Sequence, residues 1–270
     1  MNPSVSIGIP TFNRAGLLRQ AIQSILQQTF QDFEIIVSDD CSTDDTASVV
    51  ADVHDSRIRY QRTAKNLRPP RNWNVCARLA RGDLFALLPD DDVYCPDFLR
   101  AMVSALEHNP TIGFAQCGYY SADENLRPIQ TVLASPTPIS LTGESALLWQ
   151  CDHLSCIPAS VLFRRPLAAQ LGWWREDYWD DWAFILRVAF RHGFTFVPQA
   201  LAVNRVHSRN LNRVLYGESR DPILDLINQQ ADVFGAALPT TPRLIALRAK
   251  LNRQLSCHCI LLALGALRRC

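Results

Sequence analysis

Two short apolar runs that stop abruptly at acidic residues constrain the fold of this chain more than any other feature. Residues 34–38 are rich in β-branched side chains and are followed by two aspartates at 39–40. Residues 85–88 are also apolar and lead, after one proline, into three consecutive aspartates at 90–92. Continuous apolar runs of this kind are typical of strands in a parallel sheet that is covered on both faces. Because the carboxyl ends of parallel strands meet at one edge, we expect both groups of acids to lie there together.

The first sixty residues alternate between strand and helix patterns. Residues 5–10 alternate in polarity and end at a proline, which is typical of a strand that runs into a loop. Apolar side chains recur at helical spacing over residues 17–28, before the strand at 34–38. Capping residues then introduce a helix through about residue 53, and residues 58–61 form a short third strand. This βαβαβ order predicts an α/β fold with a doubly wound, mainly parallel sheet flanked by helices.

The later part of the chain predicts further elements around one long loop. Helices are predicted over residues 71–80, 96–108 and 143–150 and from about residue 181, and strands over residues 112–117 and 159–163. The stretch 121–138 contains three prolines and little periodicity, so we predict a long loop across the acidic edge. No linker composition interrupts residues 1–215, which are predicted to form one domain with halves at about 1–117 and 118–215. Residues 216–270 are predicted to form a helical C-terminal extension.

Composition and charge narrow the class of protein. A hydrophobic content of 48% is ample for a core, and 27 basic against 26 acidic residues leave no charge excess that would favour a nucleic-acid partner. The N-terminus lacks the basic and apolar segments of a signal peptide, so a cytoplasmic location is expected. Nine scattered cysteines are typical of free thiols. The pairs Cys151/Cys156 and Cys257/Cys259 could be zinc ligands, but neither has a second pair at suitable spacing, so buried thiols are predicted.

The acidic groups point to two kinds of chemistry. Three adjacent carboxylates repel one another, so the stretch 90–92 is expected to need solvent, a cation or both. Mg²⁺ and Mn²⁺ prefer carboxylate and phosphate oxygens, so the triplet alone leaves both a divalent-metal site and an acidic surface loop open. A third pair, Asp180 and Asp181, lies among tryptophans, where partial burial favours a general base. The same pair is suited to stabilise the start of the following helix, and adjacent residues can fill both roles.

The order of these motifs resembles that of the GT-A fold glycosyltransferases of family 2. The resemblance covers roughly residues 4–208. It rests on Pro10-Thr11-Phe12-Asn13-Arg14, the stretch 28–44 with Asp39-Asp40, Asn66, the segments 72–74 and 80–83, the acids at 90–92, Pro96-Asp97, Asp180-Asp181, Arg187 and Arg205-x-His207.

This resemblance implies an inverting transfer of a sugar from a nucleotide-activated donor. It assigns Asp40 to the nucleobase and Asp39 to the shape of the same pocket. The family's usual D-x-D motif is altered here because a proline precedes the acids, so Asp91 becomes the expected ligand of Mn²⁺ or Mg²⁺, assisted by Asp92 or Asp90. The residues predicted to bind the nucleotide sugar are Pro10, Thr11, Phe12, Asn13, Arg14, Asp39, Asp40, Asn66, Asp90, Arg205 and His207.

The resemblance places the catalytic base at Asp181, with Asp180 in the position of the family's usual Glu. Deprotonation of the acceptor hydroxyl by Asp181 would raise its nucleophilicity. Arg205 is suited to bidentate phosphate contacts, whereas an ordinary surface histidine is an alternative for His207. The acceptor side is predicted to include Asp152, His153, Trp179, Asp180 and Trp182. The tryptophans from 173 to 182 favour a sugar platform, with core packing as the alternative for at least two of them.

The C-terminal extension bears on partners and location. Its leucines recur at near-helical spacing among arginines, a pattern that suits a membrane surface, a second subunit or the domain itself. A saccharide or lipid-linked saccharide acceptor and a peripheral position at the inner face of a membrane are therefore expected. Two other functions stay open, a non-catalytic nucleotide-sugar sensor and a sugar nucleotidyltransferase. The second is disfavoured because the loop after the first strand lacks a glycine cluster.

Overall fold

A mixed sheet of ten strands forms the centre of the computed structural model, which describes residues 2–153, 156–175 and 180–207. The strands are β1 (Val5–Thr11), β2 (Phe33–Asp39), β3 (Ile58–Arg62), β4 (Leu84–Leu87), β5 (Val93–Tyr94), β6 (Phe114–Ala122), β7 (Pro128–Val132), β8 (Ile139–Leu141), β9 (Val161–Arg164) and β10 (Phe194–Arg205). The helices are α1 (Ala15–Leu26), α2 (Thr46–Ala51), α3 (Pro69–Leu79), α4 (Phe98–Glu107), α5 (Gly143–His153), α6 (Arg165–Gln170) and α7 (Asp180–His192). A short 3₁₀ helix, Pro158–Ser160, precedes β9.

The strand order is β3-β2-β1-β4-β9-β6-β10-β5, with β7 paired to β6 and β8 paired to β10. Strands β3, β2, β1 and β4 are parallel, and β10 is parallel to β6. Strand β9 is antiparallel to both β4 and β6. The predicted α/β class is confirmed. The first half of the sheet is the parallel βαβ arrangement that the sequence predicts, whereas the second half mixes directions.

Helices cover both faces of the sheet, which explains why its central strands are continuously apolar. Every residue of β2 and β4 is buried. On one face, α1 and α4 pack through side chains such as Leu18, Ile22 and Phe98. On the other face, α3 and α7 enclose an aromatic group that includes Trp73, Trp174 and Phe184. Two cores therefore hold the strands rigidly while leaving their carboxyl ends open for a site.

The predicted long loop at 121–138 is wrong. Strand β6 continues to Ala122, and β7 returns beside it as an antiparallel strand. The pattern was hidden because β7 is exposed along most of its length and so shows no alternation. Pro128 is tolerated because it is the first residue of a strand that, within the described part of the chain, pairs on one side only.

Strand β10 has no counterpart in the sequence prediction. Its pairing with β6 shifts register between Val197 and Ala200 and again between Ala200 and Ala202. Such irregularities break the two-residue alternation by which a strand is recognised. The strand matters because it delivers Asn204 and Arg205 to the carboxyl edge of the sheet.

Gly8 in β1 allows α3 to pack directly on the sheet, and this close approach yields a stability prediction. A Cβ at this position would lie 2.5 Å from Cys76 Cβ and 3.1 Å from Phe85 Cζ. Gly8→Ala is expected to lower the free energy of unfolding by about 1–3 kcal/mol, because the core must shift to accept a methyl group. Urea denaturation measures the change.

Gly16→Ala is the matched control for this substitution. A Cβ at Gly16 in α1 would meet nothing within 4 Å. Alanine is a better helix former than glycine, so the control is expected to raise stability by up to about 1 kcal/mol. Equal unfolding free energies for the two variants would contradict the packing argument.

Residues 1–207 form one compact unit. The predicted domain boundary at residue 215 and the helical extension 216–270 lie outside the described residues and stay predictions. In the part of the chain that the structure describes, no helix combines the length and apolar character needed to cross a membrane.

Candidate active site

Acids from β2 and from the loop after β4 meet at one edge of the sheet, as the sequence predicts. Thr11 ends β1 and connects the two groups. It pairs in register with Asp39, and its carbonyl oxygen accepts a hydrogen bond from the Asp40 N–H at 2.9 Å. Its hydroxyl donates to Asp90 Oδ2 at 2.7 Å. A single residue of the central strand therefore fixes the spacing between the two acidic groups.

The three consecutive aspartates are buried among protein groups, so solvent does not surround them, and the predicted cation stays a prediction. Asp90, Asp91 and Asp92 are 4%, 7% and 2% exposed. Polar groups from β1, from the loop before α1 and from the end of β10 surround them. Burial of like charges is unfavourable, and hydrogen bonds and positive charge from distant parts of the chain stabilise the three carboxylates.

Arg14 and His207 both face the central carboxylate. Arg14 Nη1 lies 2.9 Å from Asp91 Oδ2 and 3.0 Å from Asp90 Oδ1. His207 Nε2 lies 3.1 Å from the same Asp91 Oδ2. Burial raises the pKa of Asp90 to about 6; the charge of Arg14 opposes this rise, and that of Asp91 adds to it. His207 is only 7% exposed, so the alternative of an ordinary surface histidine is wrong.

Asp92 and Arg205 fasten the acidic loop to the end of β10. Asp92 Oδ1 accepts the Arg205 backbone N–H at 2.9 Å, and the Asn204 amide lies 3.3 Å from the same oxygen. Burial raises the pKa of Asp92 well above its ordinary value, and the charge of Asp91 adds to this shift.

The Arg205 guanidinium is buried among acceptors from three parts of the chain. It donates to the Asp91 carbonyl at 2.8 Å, to the Glu124 carbonyl at 2.7 Å and to Gln20 Oε1 at 2.8 Å. Arg205 thus braces the acidic loop, and its predicted contact with a diphosphate stays a prediction.

The predicted nucleoside pocket is built around Asp39 and Asp40. Asp39 accepts the Ser42 N–H at 2.8 Å and the Tyr60 hydroxyl, and burial together with the Asp39 carboxylate raises the pKa of Tyr60. Asp40 accepts the backbone N–H groups of Leu67 at 2.7 Å and Arg68 at 2.9 Å. The second acid therefore shapes the loop before α3. Asn66 joins this loop by accepting the Arg68 N–H at 3.0 Å.

Three residues around this pocket adopt backbone conformations that are rare for side-chain-bearing residues. Their φ angles are 53° at Asn13, 67° at Cys41 and 70° at Arg68. Asn13 is held by the Thr43 N–H, which donates to its side chain at 2.7 Å, and its own N–H donates to Ser42 Oγ at 2.9 Å. Strain of this kind persists only where surrounding contacts enforce it, and it clusters at functional sites. Phe12 beside Asn13 is 42% exposed.

Asp181 lies in the first turn of α7 and accepts the Trp182 N–H at 2.8 Å. This position matches the predicted stabilisation of the helix start. Asp181 also acts on the Cys156 thiol, whose pKa rises to about 12 through burial and, less strongly, through the Asp181 charge. Burial raises the pKa of Tyr119, and the charges of Cys156 and Asp92 add to this rise. Tyr119 is therefore within electrostatic range of Asp92 and Cys156, and Cys156 is within range of Asp181. Sequence reasoning did not identify Tyr119, and it named Cys156 only as a thiol or zinc-ligand candidate.

The remaining residues predicted for the acceptor side lie on two different helices, α5 and α7, or outside the described residues. Asp152 and His153 are exposed at the end of α5, where His153 stacks on Trp149 with ring centres 4.2 Å apart. Within the described residues, the buried indole nitrogen of Trp182 has no hydrogen-bond partner. Trp179 and the side chain of Asp180 lie outside the described residues. Trp173 and Trp174 stack on each other within the aromatic core, which confirms core packing for two of the tryptophans.

The residues around Asp91 fit a divalent cation whose shell a substrate would complete. Ligands of Mg²⁺ lie at about 2.1 Å in an octahedral shell, so neighbouring ligands are about 3 Å apart. Asp91 Oδ2 and His207 Nε2 contact each other directly at 3.1 Å, and these two atoms are the ones that could hold such a cation. Across the described ranges, no three His, Cys, Asp or Glu side chains converge as a complete metal site. Two protein ligands together with phosphate oxygens are a usual arrangement for such cations.

Comparison with known sequences gives both an uncharacterised relative and a relative with a named glycosyltransferase activity. The chain is 31% identical over 218 residues to an uncharacterised protein of Mycobacterium tuberculosis, a match that covers 75% of this chain and 67% of the relative. It is 41% identical over 116 residues to the GalNAc(5)-diNAcBac-PP-undecaprenol beta-1,3-glucosyltransferase of Campylobacter jejuni. That match covers 42% of this chain and 36% of the Campylobacter protein.

Solved structures share the fold at low sequence identity. TarS of Staphylococcus aureus, solved in complex with UDP-GlcNAc, matches with a TM-score of 0.75 and 16% identity over 93% of this chain and 71% of that chain. The mannosyltransferase PcManGT of Pyrobaculum calidifontis, solved with GDP-Man and Mn²⁺, matches with a TM-score of 0.59 and 18% identity over 98% of this chain and 80% of that chain.

The sequence model described as "Glycosyl transferase family 2" matches residues 6–172 of the 270-residue chain. The matched segment contains all of β1 except its first residue, together with β2, β4 and the acids that follow those two strands. The fold agrees with that of GT-A glycosyltransferases, as the resemblance in the sequence implied. The protein therefore belongs to glycosyltransferase family 2.

Proposed function

We propose that this glycosyltransferase moves a sugar from a nucleoside diphosphate donor to an acceptor hydroxyl with inversion at the anomeric carbon. The observation that carries the proposal is the junction at Thr11, which places the pocket of Asp39 and Asp40 beside the carboxylates of Asp90 and Asp91. In a nucleoside diphosphate sugar, the nucleoside and the diphosphate are directly bonded and so must bind next to each other. The two halves of one donor can therefore occupy the two acidic groups at once.

The nucleoside end of the donor is proposed to lie against the loops after β1 and β2. Phe12 offers an exposed aromatic face at this edge, and aromatic side chains stack well on planar rings. Asp40 already accepts two backbone N–H groups, so its proposed contact with the base uses its remaining acceptor capacity. Asp39 fixes the pocket through Ser42 and Tyr60.

The diphosphate end is proposed to lie at Asp91 and His207. A Mn²⁺ or Mg²⁺ ion held there would neutralise the negative charge that develops on the leaving nucleoside diphosphate. Asp92 takes no direct part in this proposal, since the residue is only 2% exposed and its Oδ1 already accepts the Arg205 backbone N–H. Its role is to hold the acidic loop, and with it Asp91, in place.

Asp181 is proposed to act as the general base in a single displacement. The acceptor oxygen attacks the anomeric carbon from the side opposite the diphosphate, and its proton passes to the Asp181 carboxylate. The new carbon–oxygen bond forms as the bond to the diphosphate oxygen breaks, so the configuration inverts. The proposal is supported by the electrostatic interactions that connect Asp181 with Cys156, and Cys156 and Asp92 with Tyr119, which suit these residues to a site that holds the reacting sugar.

A lipid-linked saccharide is the proposed acceptor, in the assembly of a bacterial surface polysaccharide or glycoconjugate. The support is the Campylobacter relative, whose name places a polyprenyl diphosphate on its substrate. We further propose a cytoplasmic location with peripheral contact at the inner face of the membrane. The basic, leucine-rich tail carries this part of the proposal.

A donor screen tests the proposed function. The full chain is incubated with UDP-, dTDP- and GDP-sugars in Mn²⁺, and release of the nucleoside diphosphate is measured without an acceptor. We expect slow hydrolysis of one group of donors, with a rate that falls to background in EDTA. Binding of a donor without any hydrolysis or transfer would favour the sensor instead. In a parallel incubation with nucleoside triphosphates and sugar phosphates, release of pyrophosphate would favour a nucleotidyltransferase.

A further inference from the structure

Arg14 holds a position at the acidic loop that a bound cation would also need. Its Nη1 lies 2.9 Å from Asp91 Oδ2 and 3.0 Å from Asp90 Oδ1. Its side chain is 22% exposed, whereas those of the two aspartates are 5% and 10% exposed. The guanidinium is therefore more exposed than the two carboxylates that it contacts.

The contact is made to the oxygen that faces His207. Asp91 Oδ2 lies between Arg14 Nη1 at 2.9 Å and His207 Nε2 at 3.1 Å. A divalent cation bound by Asp91 and His207 would have to approach this same oxygen. Two positive groups at one carboxylate oxygen repel each other strongly in a buried site, where water screens charge poorly. Arg14 and the cation are then alternative partners of Asp91.

We propose that Arg14 is a resident counter-cation, which suppresses metal binding in the free protein and turns to the donor diphosphate when the cation enters. This inference rests on the proposed function of the site. Arginine suits the exchange because its planar donors match both a carboxylate and a phosphate. The cation and the diphosphate consequently bind as a pair, and the free protein holds Mn²⁺ weakly.

Two binding measurements on the full chain test the exchange, and neither depends on transfer activity. The first titrates Mn²⁺ alone and follows the free ion by electron paramagnetic resonance. The second titrates the Mn²⁺ complex of inorganic pyrophosphate by calorimetry. Arg14→Met is expected to bind Mn²⁺ at least about tenfold tighter than the wild type and to bind Mn²⁺-pyrophosphate at least about tenfold more weakly. Opposite signs are the signature of an exchange, because a general loss of structure would weaken both ligands.

Arg62→Met is the matched control for charge. Arg62 Nε lies 3.6 Å from Asp39 Oδ2 at the same edge of the sheet, and Arg62 pairs with Asp39 in register. Removal of this arginine also takes one positive charge from the acidic edge, but not from Asp91. Its affinity for Mn²⁺ is expected to stay within about twofold of the wild type. An equal gain in both variants would show a general charge effect and would overturn the exchange.

Arg14→Lys keeps the test decisive if Arg14→Met fails to fold, as judged by circular dichroism. Lysine keeps the charge but loses the planar fork, so its Mn²⁺ affinity is expected to exceed that of the wild type. Affinity at or below the wild-type value would overturn the proposal. Loss of Mn²⁺ binding in Asp91→Asn would still uphold the metal site in that case, so failure of the exchange is distinguishable from failure of the proposed function.

Discussion

Asp181→Asn is expected to lower the rate of sugar transfer by about 10²- to 10⁴-fold, the range typical for loss of a general acid–base group. Asparagine has nearly the shape of aspartate but cannot take the proton of the acceptor hydroxyl at neutral pH. Its side-chain oxygen can still accept the Trp182 N–H that Asp181 accepts at 2.8 Å, so the start of α7 is kept. The measurement is single-turnover transfer with the donor identified by the screen, together with the donor dissociation constant, which is expected to stay unchanged.

Asp180→Asn separates catalysis from support of the helix. Both acids lie in the first turn of α7, where a negative charge stabilises the helix by about 0.3–1 kcal/mol. Each substitution should therefore cost a similar small amount of stability, whereas only Asp181→Asn should abolish transfer. A transfer rate above a tenth of the wild-type value in Asp181→Asn would remove this residue as the base.

Asp91→Asn is expected to weaken both Mn²⁺ binding and donor binding in Mn²⁺ by at least about 100-fold. Loss of groups that merely support a metal ligand typically costs 10- to 100-fold, and loss of the ligand itself should cost no less. The neutral amide also removes the charge that Arg14 and His207 both face. Calorimetric titration of the donor with and without Mn²⁺ measures the effect.

Asp92→Asn is the control from the same loop. Its side-chain oxygen can still accept the Arg205 N–H that Asp92 accepts at 2.9 Å. We expect its cation affinity to stay within about tenfold of the wild type, in contrast to Asp91→Asn. If the two variants lost the cation equally, Asp92 would be a metal ligand as well, and the assignment of its carboxylate to β10 alone would be wrong.

Much of the first half of the fold could be predicted because its signals are local. The strand at 34–38 lies within β2, and the helix predicted over 17–28 is α1, Ala15–Leu26, shifted by two residues at each end. Each of these elements is visible in a single stretch of apolar spacing. In the second half, β7 and β10 lack such signals because β7 is exposed and β10 is irregular. The pairing of β10 with β6 is decided between segments far apart in the chain.

The sequence alone determined the parallel order of the first strands, the meeting of the acids at 39–40 and 90–92, and the resemblance to family 2, since residue types and spacing carry these directly. Only the tertiary structure decided how three buried carboxylates are tolerated. Arg14 is 76 residues from Asp90, and Arg205 is 113 residues from Asp92. No local pattern encodes a pairing across that distance. These pairings arise because β1, β4 and β10 end at the same edge of one sheet. Water screens charge poorly in this buried site, so each additional hydrogen bond or ion pair stabilises the carboxylates.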